Sequence, residues 1–276
     1  MIAAIVLALL QEPAPPAREV ALAWKCAEGQ RFAVGWKASA FMKVVAEKKE
    51  VGSFDFTSAV EGKLSIASVP RVGKAECLLS IRRQEVRGTM MRWPIHILLE
   101  DGEIKRSVGA DKNLDDLPTI ANKPIWFKLS PDGRFDLEGS KEAQDFFATM
   151  DDLAGPRLPP GPVKVGDSWD GAPGLRSSKK FSLSKVAGTY KLAGIRRAEG
   201  VECARITMEV DREVPDQGVQ IRHEVKREFL FDIENGRCLR GALSWRMSGA
   251  GIMAGEQGSL DLKISFEFDL KPIEKK

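Results

Sequence analysis

A chain of 276 residues can form one large all-β domain or two of ordinary size. Its charged fraction of 29% and hydrophobic fraction of 43% exclude a disordered or transmembrane-rich polypeptide. The 42 basic and 39 acidic side chains are interspersed, with a net charge of +3, which excludes the concentrated basic stripe of a nucleic-acid-binding surface.

The N-terminal "MIAAIVLALL" is an apolar run too short to span a bilayer. Followed by the proline-rich break "QEPAPPA", it predicts a secretory leader over residues 1–17 and an exported protein of the periplasm or cell envelope. No basic residue precedes the run and no A-x-A site follows it, so an uncleaved anchor or an ordinary buried segment are the other readings. Cys26 is preceded by "AWK", which is not a lipidation signal. Further along, no apolar stretch is long enough for a membrane helix.

Period-two alternation dominates the rest of the chain. In "LDLKISFEFDL" the residues Leu260, Leu262, Ile264, Phe266, Phe268 and Leu270 fall on one side and charged or hydroxyl residues on the other, the mark of a strand with one wet face. "RFAVGWK", "KLSIASV", "KFSLSKV" and "CARITMEVD" repeat the pattern. Asp101-Gly102, Asp132-Gly133, Glu199-Gly200 and Asn235-Gly236 separate strand-like runs and predict hairpins, because tight two-residue turns need positive φ. "PDGRF" and "ENGRC" resemble each other, through a faint duplication or through hairpin chemistry alone. His96, in an apolar stretch, reads as a hydrogen-bonded core residue, and His223, in the charged run "IRHEVKRE", as one more polar strand residue.

One helix is predicted, over about 140–154. Ser140 caps it, Ala143, Phe146, Phe147, Met150 and Leu153 form one apolar face, and Gly155 and Pro156 end it. The expected fold is therefore mainly β (α+β): a long antiparallel meander making a curved sheet or half-barrel, with this principal helix packed on it. Residues 18–276 would form a single domain, with two sheet halves, 18–139 and 158–276, joined by the helix as the other arrangement.

After the helix comes "LPPGPVKVGDSWDG". Proline fixes φ and pushes the preceding residue to extended geometry, so this is a stiff crossing that ends in a turn and in Trp169, which plugs the edge of the core. The step "LP-x-x-PV-x-x-GD-x-W", after a "SPDGRF" hairpin and a helix, resembles that of a group of β-rich, exported bacterial envelope proteins. The order of elements is similar over residues 125–270. No activity or catalytic residue transfers with the resemblance.

The four cysteines, Cys26, Cys77, Cys203 and Cys238, form no C-x-x-C pair, which excludes a zinc ribbon or a thioredoxin-like motif. Strand parity would allow a Cys26–Cys77 disulfide; small buried thiols are the other reading. The two histidines are far apart and offer no metal site or nucleophile–base pair. No cofactor motif is present.

Three functions follow. A non-enzymatic envelope protein could carry a lipid or other hydrophobic small molecule on the apolar face of the curved sheet. Trp24, Trp36, Phe146, Phe147, Phe266 and Phe268 are then the candidate ligand-binding residues. A structural or interaction module would instead bind an envelope protein partner through sheet edges or loops. A hydrolase would need the loop carboxylates Asp111, Asp115, Asp116, Asp167 and Asp170 to converge; as a calcium loop, "DKNLDD" lacks the ordered spacing and glycine.

Overall fold

The computed structural model describes residues 18–70, 73–108, 124–137, 155–171, 188–216, 219–253 and 256–273. The leader 1–17, the "DKNLDD" loop, the strand expected at "KFSLSKV" and the helix expected at 140–154, with Phe146 and Phe147, lie outside the described residues. Among the described residues there is no helix and there are fifteen strands. The first eight are β1 (Glu19–Val20), β2 (Arg31–Ala46), β3 (Lys49–Ser68), β4 (Ala75–Met90), β5 (Trp93–Glu100), β6 (Glu103–Val108), β7 (Ile125–Leu129) and β8 (Phe135–Leu137). The others are β9 (Val163–Lys164), β10 (Ser168–Gly171), β11 (Gly188–Ala198), β12 (Val201–Asp216), β13 (Val219–Asp232), β14 (Arg237–Met253) and β15 (Glu256–Pro272).

Thirteen of them form one sheet in the order β10-β11-β12-β13-β14-β15-β2-β3-β4-β5-β6, with β7 beside β4 and β8 beside β7. All its pairings are antiparallel, and all but β15–β2 and β4–β7 join strands that are consecutive in the chain. The sheet is curved and not closed: β10 and β6 are its ends and do not pair. The two halves of the chain meet where β15 pairs with β2 along fifteen positions, from Gly258↔Ala46 to Pro272↔Phe32. Strand β4 forks, its first residues pairing with β7 and its last with β5.

Alternation sends Phe32, Val34, Trp36, Phe266, Phe268 and Leu270 to one face, all buried. Burying each large side chain stabilises the fold by about 1.5–3 kcal/mol. A second layer covers part of this face. Residues 18–30 run across it as a strap: β1 pairs with β9, and Arg18 makes a double hydrogen bond to Glu202 at 2.6 and 2.8 Å. The Trp24 amide donates to Pro131 O and the Lys25 amide to Gly236 O, both at 2.8 Å. The two similar Asx-Gly-Arg turns are thus gripped by neighbouring strap residues.

The "LPPGPVKVGDSWDG" crossing runs through this layer. Leu158 is buried and its amide donates to Asp132 O at 3.0 Å. The chain turns at Gly166 (φ +101°), where Asp167 Oδ2 accepts from the Lys164 amide at 2.8 Å. The Trp169 indole donates to Arg157 O at 2.7 Å and its ring packs 6.1 Å from Tyr190, at the edge of the core.

The hairpins fall into two sets. At one end of the sheet the turns use glycine at positive φ: Asp101-Gly102, Glu199-Gly200 and Gly236 after Asn235. At the other end two turns absent from the sequence reading put non-glycine pairs there: Glu47-Lys48 (φ 47° and 64°) between β2 and β3, and Met91-Arg92 (φ 47° and 75°) between β4 and β5. Without glycine they carry no sequence signal.

At the β13–β14 turn Asp232 is fully buried. It accepts from the Asn235 amide (2.9 Å) and the Asn235 Nδ2 (2.8 Å), and Arg237 Nε stands 3.3 Å away. Asp232→Ala strips these donors of their acceptor inside the protein. It is expected to lower stability by about 2–4 kcal/mol, read as a shift of the denaturant midpoint at unchanged slope.

Candidate functional site

The apolar face is the candidate site, and the ladders place its residues in rows across the strands. One row runs Gly241, Phe268, Trp36, Val60. Gly241 is required there: a Cβ would lie 2.3 Å from the Phe268 ring and 2.7 Å from Phe229. Phe266 is the next residue of β15 on the same face, its ring 6.5 Å from that of Phe268. Trp24 comes from the strap. It meets Phe231 edge-on at 5.7 Å and lies so close to Gly133 and Gly155 that a Cβ on either would clash with its ring.

Trp24, Trp36 and Phe268 therefore converge, together with Leu79, Phe127 and Phe135, around a recess of about 60 Å³. This is the room of about two liquid water molecules. At this end the strap and β7–β8 fill the face, and the aromatics chosen from the sequence act as packing. Phe146 and Phe147 lie outside the described residues.

Toward the other end the cover thins. The row Met247, Leu262, Met42, Phe54, Met90, Trp93 crosses β14, β15, β2, β3, β4 and β5. Exposure rises along it from 2% at Leu262 to 48% at Met90 and 73% at Trp93. Methionine is unbranched and polarisable, suited to a surface that adapts to its contacts.

The sequence reading missed the polar side chains on this face. His223 is not a polar-surface residue: it is 6% exposed, and its ring stacks on Trp245 at 6.0 Å. Arg227 is also buried and donates to the Tyr190 hydroxyl at 3.3 Å, and Arg212 pairs across the ladder with His223. The signal was present: Ile221, Val225 and Phe229 alternate with His223 and Arg227 on one parity, so the flanking apolar residues carry both inward.

His96 is hydrogen-bonded, but on the wet face rather than in the core. Its Nε2 lies 2.9 Å from Glu85 Oε1, an oxygen that also accepts from Arg87 Nε at 2.6 Å. These two contacts, the His96 bond foremost, hold the Glu85 carboxyl down from its ordinary 4.5 to about 2. Larger depressions, of about 720 and 570 Å³, also open on the wet face, but Lys37, Glu61, Arg82, Asp269 and Lys271 mix both signs there. Among the described residues no three His, Cys, Asp or Glu side chains gather to hold a metal. Of the loop carboxylates, Asp167 serves its own turn, Asp170 is exposed, and Asp111, Asp115 and Asp116 lie outside the described residues.

The bridge that strand parity would allow is not formed: Cys26 and Cys77 are both free thiols. The parity argument treated Cys26 as a strand residue, whereas residues 21–30 form no strand. Burial pushes the Cys26 thiol up to about 11, and burial together with the nearby Cys26 pushes Cys77 up to about 12. Cys203 and Cys238 are buried and raised as well, by desolvation first.

No protein-family model and no curated protein matches the chain. Among solved structures, one describing lipid–protein interactions in lipovitellin superposes with a TM-score of 0.50 at 9% identity. The match covers 91% of this chain and 26% of that one, so this chain spans about a quarter of the lipovitellin chain. The likeness is one of fold. DynF of the dynemicin biosynthesis pathway of Micromonospora chersina gives 0.22 at 11% identity, covering 96% of this chain and 94% of its own. An outer membrane channel from Pseudomonas putida F1 gives 0.19 at 7%, covering 94% and 100%. Those two scores bear on neither fold nor function. Among the described residues no helix is long and apolar enough to cross a membrane.

Two outcomes are expected. The Glu85 carboxylate stabilises the folded state fully above about pH 4.5, and that contribution fades as pH falls toward 2. The difference in thermal midpoint between the wild type and Glu85→Gln is therefore largest near neutrality and closes across that window. In thiol titration without reductant, the folded protein reacts slowly, Cys26 first, and the unfolded chain yields all four thiols. A yield of two would instead mean a bridge.

Proposed function

We propose that the protein is a non-enzymatic carrier or binder of a hydrophobic small molecule or lipid, held on the apolar face of its curved, open sheet. The observation that carries this reading is that, among the described residues, the apolar face is larger than its cover. The recess under Trp24 is filled, yet the row through Met42, Phe54, Met90 and Trp93 grows steadily more exposed. An uncovered apolar surface of this kind marks a binding site in a soluble protein. The sheet shared with lipovitellin, a protein studied for its lipid contacts, supports the reading at the level of fold.

The cell envelope is the proposed location. It rests on the leader-like residues 1–17 and on the resemblance of the "LP-x-x-PV-x-x-GD-x-W" step to that of exported envelope proteins. An interaction module is the second reading, favoured by the open edge at β6: among the described residues its strand neighbour is β5, and Ile104 is 48% exposed.

Native mass spectrometry of the protein recovered from its own envelope fraction tests the carrier. A mass surplus removed by organic extraction, and identified as lipid, is expected. A bare mass, with a protein partner retained on cross-linking, would replace the carrier by the interaction module.

A further inference from the structure

We infer that the end of the sheet carrying the Glu47-Lys48 and Met91-Arg92 turns is a docking surface for an anionic lipid bilayer. The inference goes beyond the carrier reading: it shares Met90 and Trp93 with that reading and adds the turn residues Met91 and Arg92, on which its test is made.

The first observation is where the exposed apolar side chains lie. Four of the nine large hydrophobic residues exposed in the described structure sit at these two neighbouring tips: Val51 (51%), Met90 (48%), Met91 (57%) and Trp93 (73%). The tips are joined, since the Met91 amide donates to Ser53 O at 2.9 Å and Phe54 pairs with Met90. They lie at the same end of the β3, β4 and β5 ladders. Tryptophan prefers the level of lipid headgroups, with its ring body apolar and its N–H wet.

The second observation is the backbone. Met91 and Arg92 occupy left-handed φ, as do Glu47 and Lys48. For non-glycine residues this costs roughly 1–2 kcal/mol per residue against glycine. At the opposite end Asp101 (φ 49°) and Glu199 (φ 53°) do the same, but each is followed by a glycine, whereas here both central residues of each turn carry side chains. Here the two turn positions hold a methionine and an arginine, both exposed and neither part of the core. Strain of this kind is a cost that a binding role for these side chains would account for.

The third observation is charge. Lys48, Lys49 and Arg92 are exposed around the apolar cluster. Among the nearby carboxylates, Glu50 accepts from the Ser53 hydroxyl at 2.6 Å, meets Lys43 at 3.4 Å and also feels the charge of Arg92, while Glu47 and Asp55 are exposed. Apolar side chains that penetrate and basic ones that remain at headgroup level are the combination by which a peripheral surface selects an anionic bilayer.

Co-sedimentation with vesicles tests this on the full chain. Wild-type protein is expected to pellet with vesicles of equal parts phosphatidylcholine and phosphatidylglycerol, and roughly tenfold less with phosphatidylcholine alone. Met91→Asn with Arg92→Gly converts the tip to a relaxed turn. It is expected to raise the thermal midpoint while lowering vesicle affinity roughly tenfold or more, a pairing that a merely structural tip would not give. Trp93→Ser changes one highly exposed side chain, leaves the fold intact, and should weaken binding and remove the lipid-induced blue shift of tryptophan fluorescence. Absence of wild-type binding to the anionic vesicles overturns the inference, as does undiminished binding by both variants. Equal binding to the two vesicle types overturns the anionic surface. None of these outcomes bears on whether lipid co-purifies with the protein.

Discussion

The ladder between β2 and β15 is the constraint on which the architecture depends. It joins residues more than two hundred positions apart along the chain, fifteen pairs in register. Nearly all the other pairings of the large sheet form between chain neighbours. Remove this one, and two separate meanders remain, each with an apolar face half as wide. With it, Trp36 stands beside Phe268 and one buried cluster runs from Tyr190 to Ile81, with Ile97 and Leu99 in a small cluster of their own. Closing so long a loop costs only modestly more entropy than closing a short one, since the cost grows logarithmically. Its consequence is kinetic: non-local pairing of this kind slows folding.

A sheet this wide with one greasy face needs a second layer, and the chain supplies it unevenly. The strap, the β7–β8 hairpin and the proline-rich crossing pack over one end. Trp24 is wedged between Gly133 and Gly155, where only a glycine allows the indole so close. The turns that carry Pro131 and Gly236 serve the strap as hydrogen-bond acceptors, so the layer and the sheet are locked at the same places where the strands reverse. Beyond that region the apolar rows continue under less cover. Among the described residues one end is therefore covered and the other less so, and the difference comes from where the second layer reaches, since the alternation is the same at both.

The buried cations add a second asymmetry. On the wet face, arginines meet carboxylates across the ladders, as Arg222 does Asp211 and Arg205 does Glu228. On the apolar face the ladder neighbours of Arg227 are Met208 and Leu243. A guanidinium in such surroundings is costly to desolvate and is held by specific contacts, here the Tyr190 hydroxyl among others.

Alternation by itself determined the strands, their wet and dry faces and the antiparallel class, because a period of two is written residue by residue. Asp101-Gly102, Glu199-Gly200 and Asn235-Gly236 were legible for the same reason: the demand for positive φ is local, and glycine answers it. Glu47-Lys48 and Met91-Arg92 were not legible, since those turns are imposed by the paired strands against local preference. Parity also held the inward placement of His223 and Arg227, although their polarity hid it. The tertiary structure alone decided that β15 joins β2, that Trp24 is a wedge and not an open ligand contact, and that the uncovered apolar rows end at Trp93. Pairing partners and cover depend on which surfaces meet across hundreds of residues, and hydrogen-bonded ladders look alike from within any one strand.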